Sequence, residues 1–333
     1  MIRKKLIRNK KRILLIDADS KIPNLALMKL SAFHKMKGDS VKLIKLNIPY
    51  YPNRNKKFNY IPEIYDKSYC SVIFENNINF IKGENIIFGG TGYDLTTKLP
   101  EEIENLDPDY SLYPDNNISY GFISRGCIRN CYFCKVPKKE GYIKQVNSIK
   151  NIIKHKKIKF LDNNFLALPN HKNILRELIN LKNIKFEFNQ GLDIRLVDKE
   201  NSILLLKAIK QTGGYTFAFD DWSYLQLISE KLLLLNWRKD WQLRFFVYAD
   251  PKIELSNIIN RINWLKDNKC LLYFMRNIKC WESEYKNFYT DLAAWCNQPA
   301  LFKKMSFNEF LNKRHSKKDK ILFSKNLYYE GIK

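Results

Sequence analysis

The chain has 333 residues, 45% of them hydrophobic and 14% aromatic, which is enough for two domains with their own cores and excludes a disordered chain. Its 58 lysines and arginines against 34 aspartates and glutamates give a net charge of +24, which attracts polyanions and makes nucleic acid a candidate partner; the lysine and asparagine usage of an AT-rich genome accounts equally well for the surplus. No apolar run approaches the roughly 18 residues of a membrane span, and 7 cysteines, odd in number and sparse, exclude a disulfide framework and point to reduced thiols in a cytoplasmic protein without a membrane partner.

In chain order, residues 1–12 (MIRKKLIRNKKR) form a basic tail, read as a frayed terminus or a nucleic-acid arm. Residues 13–16 are a short apolar run that ends in Asp17-Ala18-Asp19-Ser20, the pattern of a buried parallel strand with a polar tip. Leu25, Met28, Leu30 and Phe33 then share one side of a helix that stops near Lys37-Gly38, and strands are predicted at 41–46, 69–74 and 86–88. The last turns at Gly89-Gly90-Thr91-Gly92, which either cradles a phosphate or makes a tight turn; without the full GxGxxG pattern the turn is favoured. Alternating strands and helices over 13–115 predict a Rossmann-like, doubly wound parallel sheet, closed by the turn-rich stretch Asp107-Pro108-Asp109-Tyr110 to Pro114. A second domain over 116–300 has candidate strands at 119–124, 157–161, 185–188, 215–219, 243–248 and 271–275, with helical segments such as 203–209 and 258–266 between them. Residues 301–333 are a basic C-terminal segment.

The spacing Cys127-Ile-Arg-Asn-Cys131-Tyr-Phe-Cys134 offers three thiolates to one small object and no fourth. A zinc ribbon or finger adds a second CxxC or HxxxH within about a dozen residues, and only the single His155 and His171 follow. Iron–sulfur clusters take about one thiolate per iron, so a cubane on three cysteines keeps one iron open to a ligand that is not protein. The four remaining cysteines, Cys70, Cys270, Cys280 and Cys296, are widely and irregularly spaced and read as small buried hydrophobes.

The run from Gly121 to Cys134, with its Ser124-Arg125-Gly126 lead-in and with Phe133 just before the third cysteine, resembles the cluster-binding loop of radical S-adenosylmethionine (SAM) enzymes. The resemblance implies an α/β fold in which the six β/α units form a partial (β/α)6 TIM barrel, a 4Fe-4S cluster on Cys127, Cys131 and Cys134, SAM on its open iron, and a flavodoxin- or ferredoxin-like electron donor. It further implies reductive cleavage of SAM to a 5′-deoxyadenosyl radical acting on an unidentified substrate. The first domain is similar to the cobalamin-binding-like domain that precedes the barrel in some relatives, but Asp17-Ala18-Asp19-Ser20 lacks the histidine of the Asp-x-His-x-x-Gly motif, which weighs against cobalamin.

Carried onto this sequence, the resemblance assigns cofactor contacts to Phe133, to Asp162 and Asn163 near the SAM amino group, to Arg195 at its carboxylate, and to Gln190 or Asp193 at its ribose. Each has a plainer reading beside it: an Asx turn for Asp162-Asn163 and a surface ion pair for Arg195. Asp220-Asp221 is either a carboxylate pair at the barrel mouth or a helix N-terminal pair, and Tyr248, Asp250 and Arg276 complete a polar rim. The rival from another class is a non-catalytic nucleic-acid-binding protein whose cysteines hold a structural metal.

Overall fold

A computed structural model describes residues 9–49, 60 and 63–314, so most of the basic tail and everything beyond Arg314 lie outside the described residues. The described chain divides into two compact units, one drawn from Met1–Gly121 with Arg129–Gly141, the other from Phe122–Ile128 with Tyr142–Lys333.

In the first unit, Arg12–Asp17 (β1) reads RILLID, and its apolar side chains alternate between two faces. Leu14 and Ile16 join Ala18, Cys70 and Val72 on one side, while Ile13 and Leu15 join Leu27, Leu30 and Ile103 on the other. A strand buried on both faces belongs inside a parallel sheet that is covered on both sides. Leu25–Met36 (α1), capped by the Asn24 side chain on Leu27 N, leads to Ser40–Lys45 (β2). Lys67–Ser71 (β3) and Ile86–Gly89 (β4) complete an all-parallel sheet in the order β2-β1-β3-β4. The winding reverses between β1 and β3, where open α/β sheets of this kind leave a crevice beyond the strand ends. Buried His34, at the end of α1, is fixed between Asp39 (2.7 Å) and the Tyr69 hydroxyl (3.1 Å) and ties the helix to the sheet. Glu101–Glu104 (α2), Ile118–Gly121 (β5) and Val136–Glu140 (α3) finish the unit.

The second unit opens with Ser124–Arg125 (β6), paired antiparallel with Lys144–Gln145 (β7), followed by Ile149–Ile152 (α4). Strands and helices then alternate: Lys157–Phe160 (β8), His171–Asn180 (α5), Lys185–Phe188 (β9), Lys199–Thr212 (α6), Tyr215–Ala218 (β10), Leu225–Leu234 (α7), Leu243–Ala249 (β11), Leu255–Asp267 (α8) and Leu271–Arg276 (β12). β8 and β9 run parallel, as do β10, β11 and β12, and a parallel bridge between Leu192 and Phe217 links the two groups. All five strands therefore present their C-terminal ends along one edge. Phe160, Phe217, Phe245 and Phe274, each on an alternating strand position, fill the core beneath that edge.

Lys286–Cys296 (α9), Pro299–Lys304 (α10) and Phe307–Arg314 (α11) close the described chain, and Phe302, Phe307, Phe310 and Leu311 sink into the same core. Cys70, Cys270, Cys280 and Cys296 are buried, as small hydrophobes should be. The fold is thus mixed α/β built on parallel sheets. Among the described residues no helix is long and apolar enough to cross a membrane.

Candidate functional site

The strand expected over 119–124 stops at Gly121 and resumes at Ser124, because a distant side chain captures the backbone between. Asp162, one residue past Leu161 at the end of β8 and 2% exposed, accepts from Ile123 N (3.1 Å), Ser124 N (2.6 Å) and Ser124 Oγ (2.6 Å). Burial nevertheless wins over these donors and pushes its carboxyl up to about 6. The next residue continues the match, Asn163 Oδ1 accepting from Gly126 N at 3.0 Å. Gly126 has φ +90°, a conformation that suits glycine and lets the chain turn there. Asn164 follows, with Nδ2 3.4 Å from Cys127 Sγ. Three consecutive residues at one strand end thus hold residues 123–127 in order, and the opposite side of that segment is held by Val146 N on Ile123 O at 2.8 Å.

Cys127 belongs to the second unit, and Cys131 and Cys134 to the first. All three are partly exposed. Cys134 N donates to Cys131 O (3.0 Å), and Val136 N donates to Cys134 Sγ (3.4 Å) at the start of α3. Lys139 of α3 donates to Asp94 O (3.3 Å) and Thr97 O (2.8 Å), and Lys135 faces Glu75 at 3.6 Å, which anchors this stretch in the first unit. Phe133 is half-buried and meets Tyr132 edge-on at 5.3 Å. Among the described residues, no three His, Cys, Asp or Glu side chains are gathered closely enough to hold a metal ion.

Past β9, Asp193 and Arg195 engage each other: Nε to Oδ1 at 2.7 Å and Nη2 to Oδ2 at 3.1 Å, a bidentate pair, with the guanidinium 4.9 Å from the Tyr224 ring. Gln190 is exposed. Past β10 the two aspartates part company. Asp221 caps the turn Trp222–Tyr224 by accepting from Ser223 N at 2.8 Å, and that bond lowers its pKa. Asp220 is half-buried, and burial raises its carboxyl to about 6 against the pull of Arg261, the Tyr248 N–H and Arg195. Past β11, buried Asp250 accepts from the Tyr248 hydroxyl (3.0 Å) and Lys252 N (3.0 Å), while Asn277 donates to the same hydroxyl at 2.7 Å. Arg276 ends β12 beneath Trp281, 4.1 Å from its ring.

Three contributors carry no site role in the sequence reading. Fully buried Arg261 on α8 donates to Phe219 O (2.8 Å) and Tyr248 O (3.1 Å), stitching the ends of β10 and β11. Its spacing three after Ile258 and four before Leu265 put it on the helix's apolar face, a signal available in the sequence. Asn164 stands beside two singled-out residues in a run of short polar side chains at a strand end. Asp19 is the third: its carboxylate accepts from Ile73 N (2.9 Å), Phe74 N (3.0 Å) and Asn77 Nδ2 (3.0 Å), so the backbone donors at the β1/β3 crevice are taken by the chain itself. Gly90 and Gly92 serve packing there. A Cβ on Gly90 would stand 2.3 Å from Val72 O and one on Gly92 2.7 Å from the Phe74 backbone, so only glycine allows the chain to pass that close.

No protein-family model matches the sequence, nor does any curated protein. Among solved structures, the radical S-adenosylmethionine methyltransferase TsrM from Kitasatospora setae, with tryptophan substrate and the SAM analogue aza-SAM bound, is similar at a TM-score of 0.55. The match covers 79% of this chain and 72% of that one at 12% identity, a likeness of fold alone.

Proposed function

We propose that the chain is a radical SAM enzyme in which Cys127, Cys131 and Cys134 hold a 4Fe-4S cluster. The observation that carries the reading is the clamp of Asp162, Asn163 and Asn164 on residues 123–127, which fixes the root of a three-cysteine loop at the polar edge of a parallel sheet. The likeness in fold to a radical SAM methyltransferase supports it. We read β5 with β8 to β12 as the six strands of an open barrel.

The donor set fits the group. The three thiols are partly exposed, and two of their sulfurs already accept an N–H, the contact that stabilises thiolate charge. When bound, cluster and SAM supply one-electron reductive cleavage to methionine and a 5′-deoxyadenosyl radical. The protein's part is placement: Asp162 and Asn163 hold the loop, while Phe133, Gln190, Asp193 and Arg195 are proposed to line the cofactor. With Asp193 and Arg195 locked together, Arg195 reaches a carboxylate through what their pairing leaves of its fork. Asp220, at the same edge and with its carboxyl pushed up to about 6 by burial, is placed to exchange a proton with a substrate. The missing histidine in Asp17-Ala18-Asp19-Ser20 weighs against cobalamin in the first unit, and the Asp19 carboxylate there is engaged by Ile73 N.

Anaerobic reconstitution tests the proposal. Iron and sulfide in near-equal amounts, absorbance at about 400 nm and reductant-dependent 5′-deoxyadenosine are expected, and all are lost in Cys127→Ala. Zinc at one per chain with no iron would instead support the nucleic-acid-binding rival.

A further inference from the structure

Asn164 is 4% exposed, and the two ends of its amide fare differently. Nδ2 is 3.4 Å from Cys127 Sγ, within reach of an N–H···S bond, whereas Oδ1 is buried with no hydrogen-bond partner. A buried amide with one end unsatisfied costs stability that an apolar side chain of the same size would not. Its neighbours already position the loop, Asp162 through Ile123 and Ser124 and Asn163 through Gly126. The contact that distinguishes an amide from an isosteric leucine at this position is therefore the one to sulfur. Turning the amide over would set Oδ1 against a thiolate, acceptor against acceptor, so the orientation seen suits a charged sulfur.

We infer that Asn164 is a positioning residue that sets the reduction potential of the cluster, its N–H···S bond to Cys127 withdrawing charge from the sulfur and favouring the reduced state. The inference rests on the cluster reading above. Hydrogen bonds to the sulfurs are one of the levers by which proteins tune such clusters. Val136 N, which donates to Cys134, belongs to the backbone, whereas the Asn164 bond is one that a side-chain change can adjust.

The test is made on the whole chain, reconstituted anaerobically with iron and sulfide and without SAM. Dithionite supplies one electron per cluster, and the midpoint potential is read by EPR. Asn164→Leu is expected to lower the reduction equilibrium constant roughly tenfold, about 59 mV for a one-electron couple. Asn164→Asp, which puts an acceptor where the donor was, is expected to lower it at least as far. Wild-type protein labelled with 15N at the asparagine side-chain amide is expected to show a nitrogen hyperfine coupling in the reduced cluster, a readout that does not depend on the variants folding. Equal potentials in all three proteins, or no coupling in the labelled wild type, overturns the inference and leaves the cluster standing. A wild-type chain that takes up no iron and sulfide overturns the cluster reading and this inference together.

Discussion

Replacing Asp220 with asparagine tests how much an ionised carboxylate at the strand-end edge costs the fold. Burial lifts its carboxyl from 3.8 to about 6 although Arg261 and Arg195 pull the other way, so desolvation exceeds the attraction. An acid whose pKa rises on folding holds its proton more tightly in the folded state. Its contribution is most favourable below the unfolded value of 3.8 and is lost as the pH climbs through about 6. At about 1.4 kcal/mol per tenfold in proton affinity, the loss is about 3 kcal/mol, of which roughly half falls between pH 5 and 7.5. An asparagine amide in its place would keep an oxygen for the Tyr248 N–H and carry no charge. Asp220→Asn is therefore expected to be more stable than wild type by about 1.5 kcal/mol at pH 5 and about 3 kcal/mol at pH 7.5. Urea unfolding of both proteins side by side across that range reads the difference directly, because every other titrating group is common to the two. A constant gap across the range, or a variant less stable than wild type at pH 7.5, would refute the reasoning and show that Asp220 is needed as the counter-charge of buried Arg261.

Asp162→Asn leaves one acceptor and turns an NH2 toward the donors at Ile123 and Ser124; a loss of about 2 kcal/mol is expected, with amide exchange at those two residues faster than in wild type. Gly90→Ala adds a methyl 2.3 Å from Val72 O at a residue with φ +97°, and a drop of at least about 2 kcal/mol in the first unit's unfolding transition is expected by denaturant titration.

Much of this architecture can be read from local pattern, because the forces that decide it act over a few residues. The run RILLID declares a doubly buried strand by composition alone, and the helix after it declares its register by apolar spacing. The widely spaced cysteines announce burial by lacking partners. Strand ends were less legible, for one recurring reason. The strand predicted over 69–74 ends at Ser71 because Asp19 takes the N–H groups of Ile73 and Phe74, and the one predicted over 119–124 breaks because Asp162 takes those of Ile123 and Ser124. In each case the acceptor lies tens of residues away, and no local window reveals it. The same holds for the site. Asp193 and Arg195 are two residues apart and their pairing is a local matter, whereas the reach of Asn164 to Cys127 exists only once β8 is in place.

The chain passes between its two units three times, after Gly121, Ile128 and Gly141, so no single cut separates them. A fragment beginning at Asn116 would carry Lys135 and Lys139 without Glu75, Asp94 and Thr97, which receive them, and a fragment ending at Gly121 would keep those receivers and lose the lysines. Neither half is a module that can be exchanged as one segment. Any recombination that preserves both units must move 129–141 with the first and 122–128 with the second, and it draws Cys127 from one parent and Cys131 and Cys134 from the other.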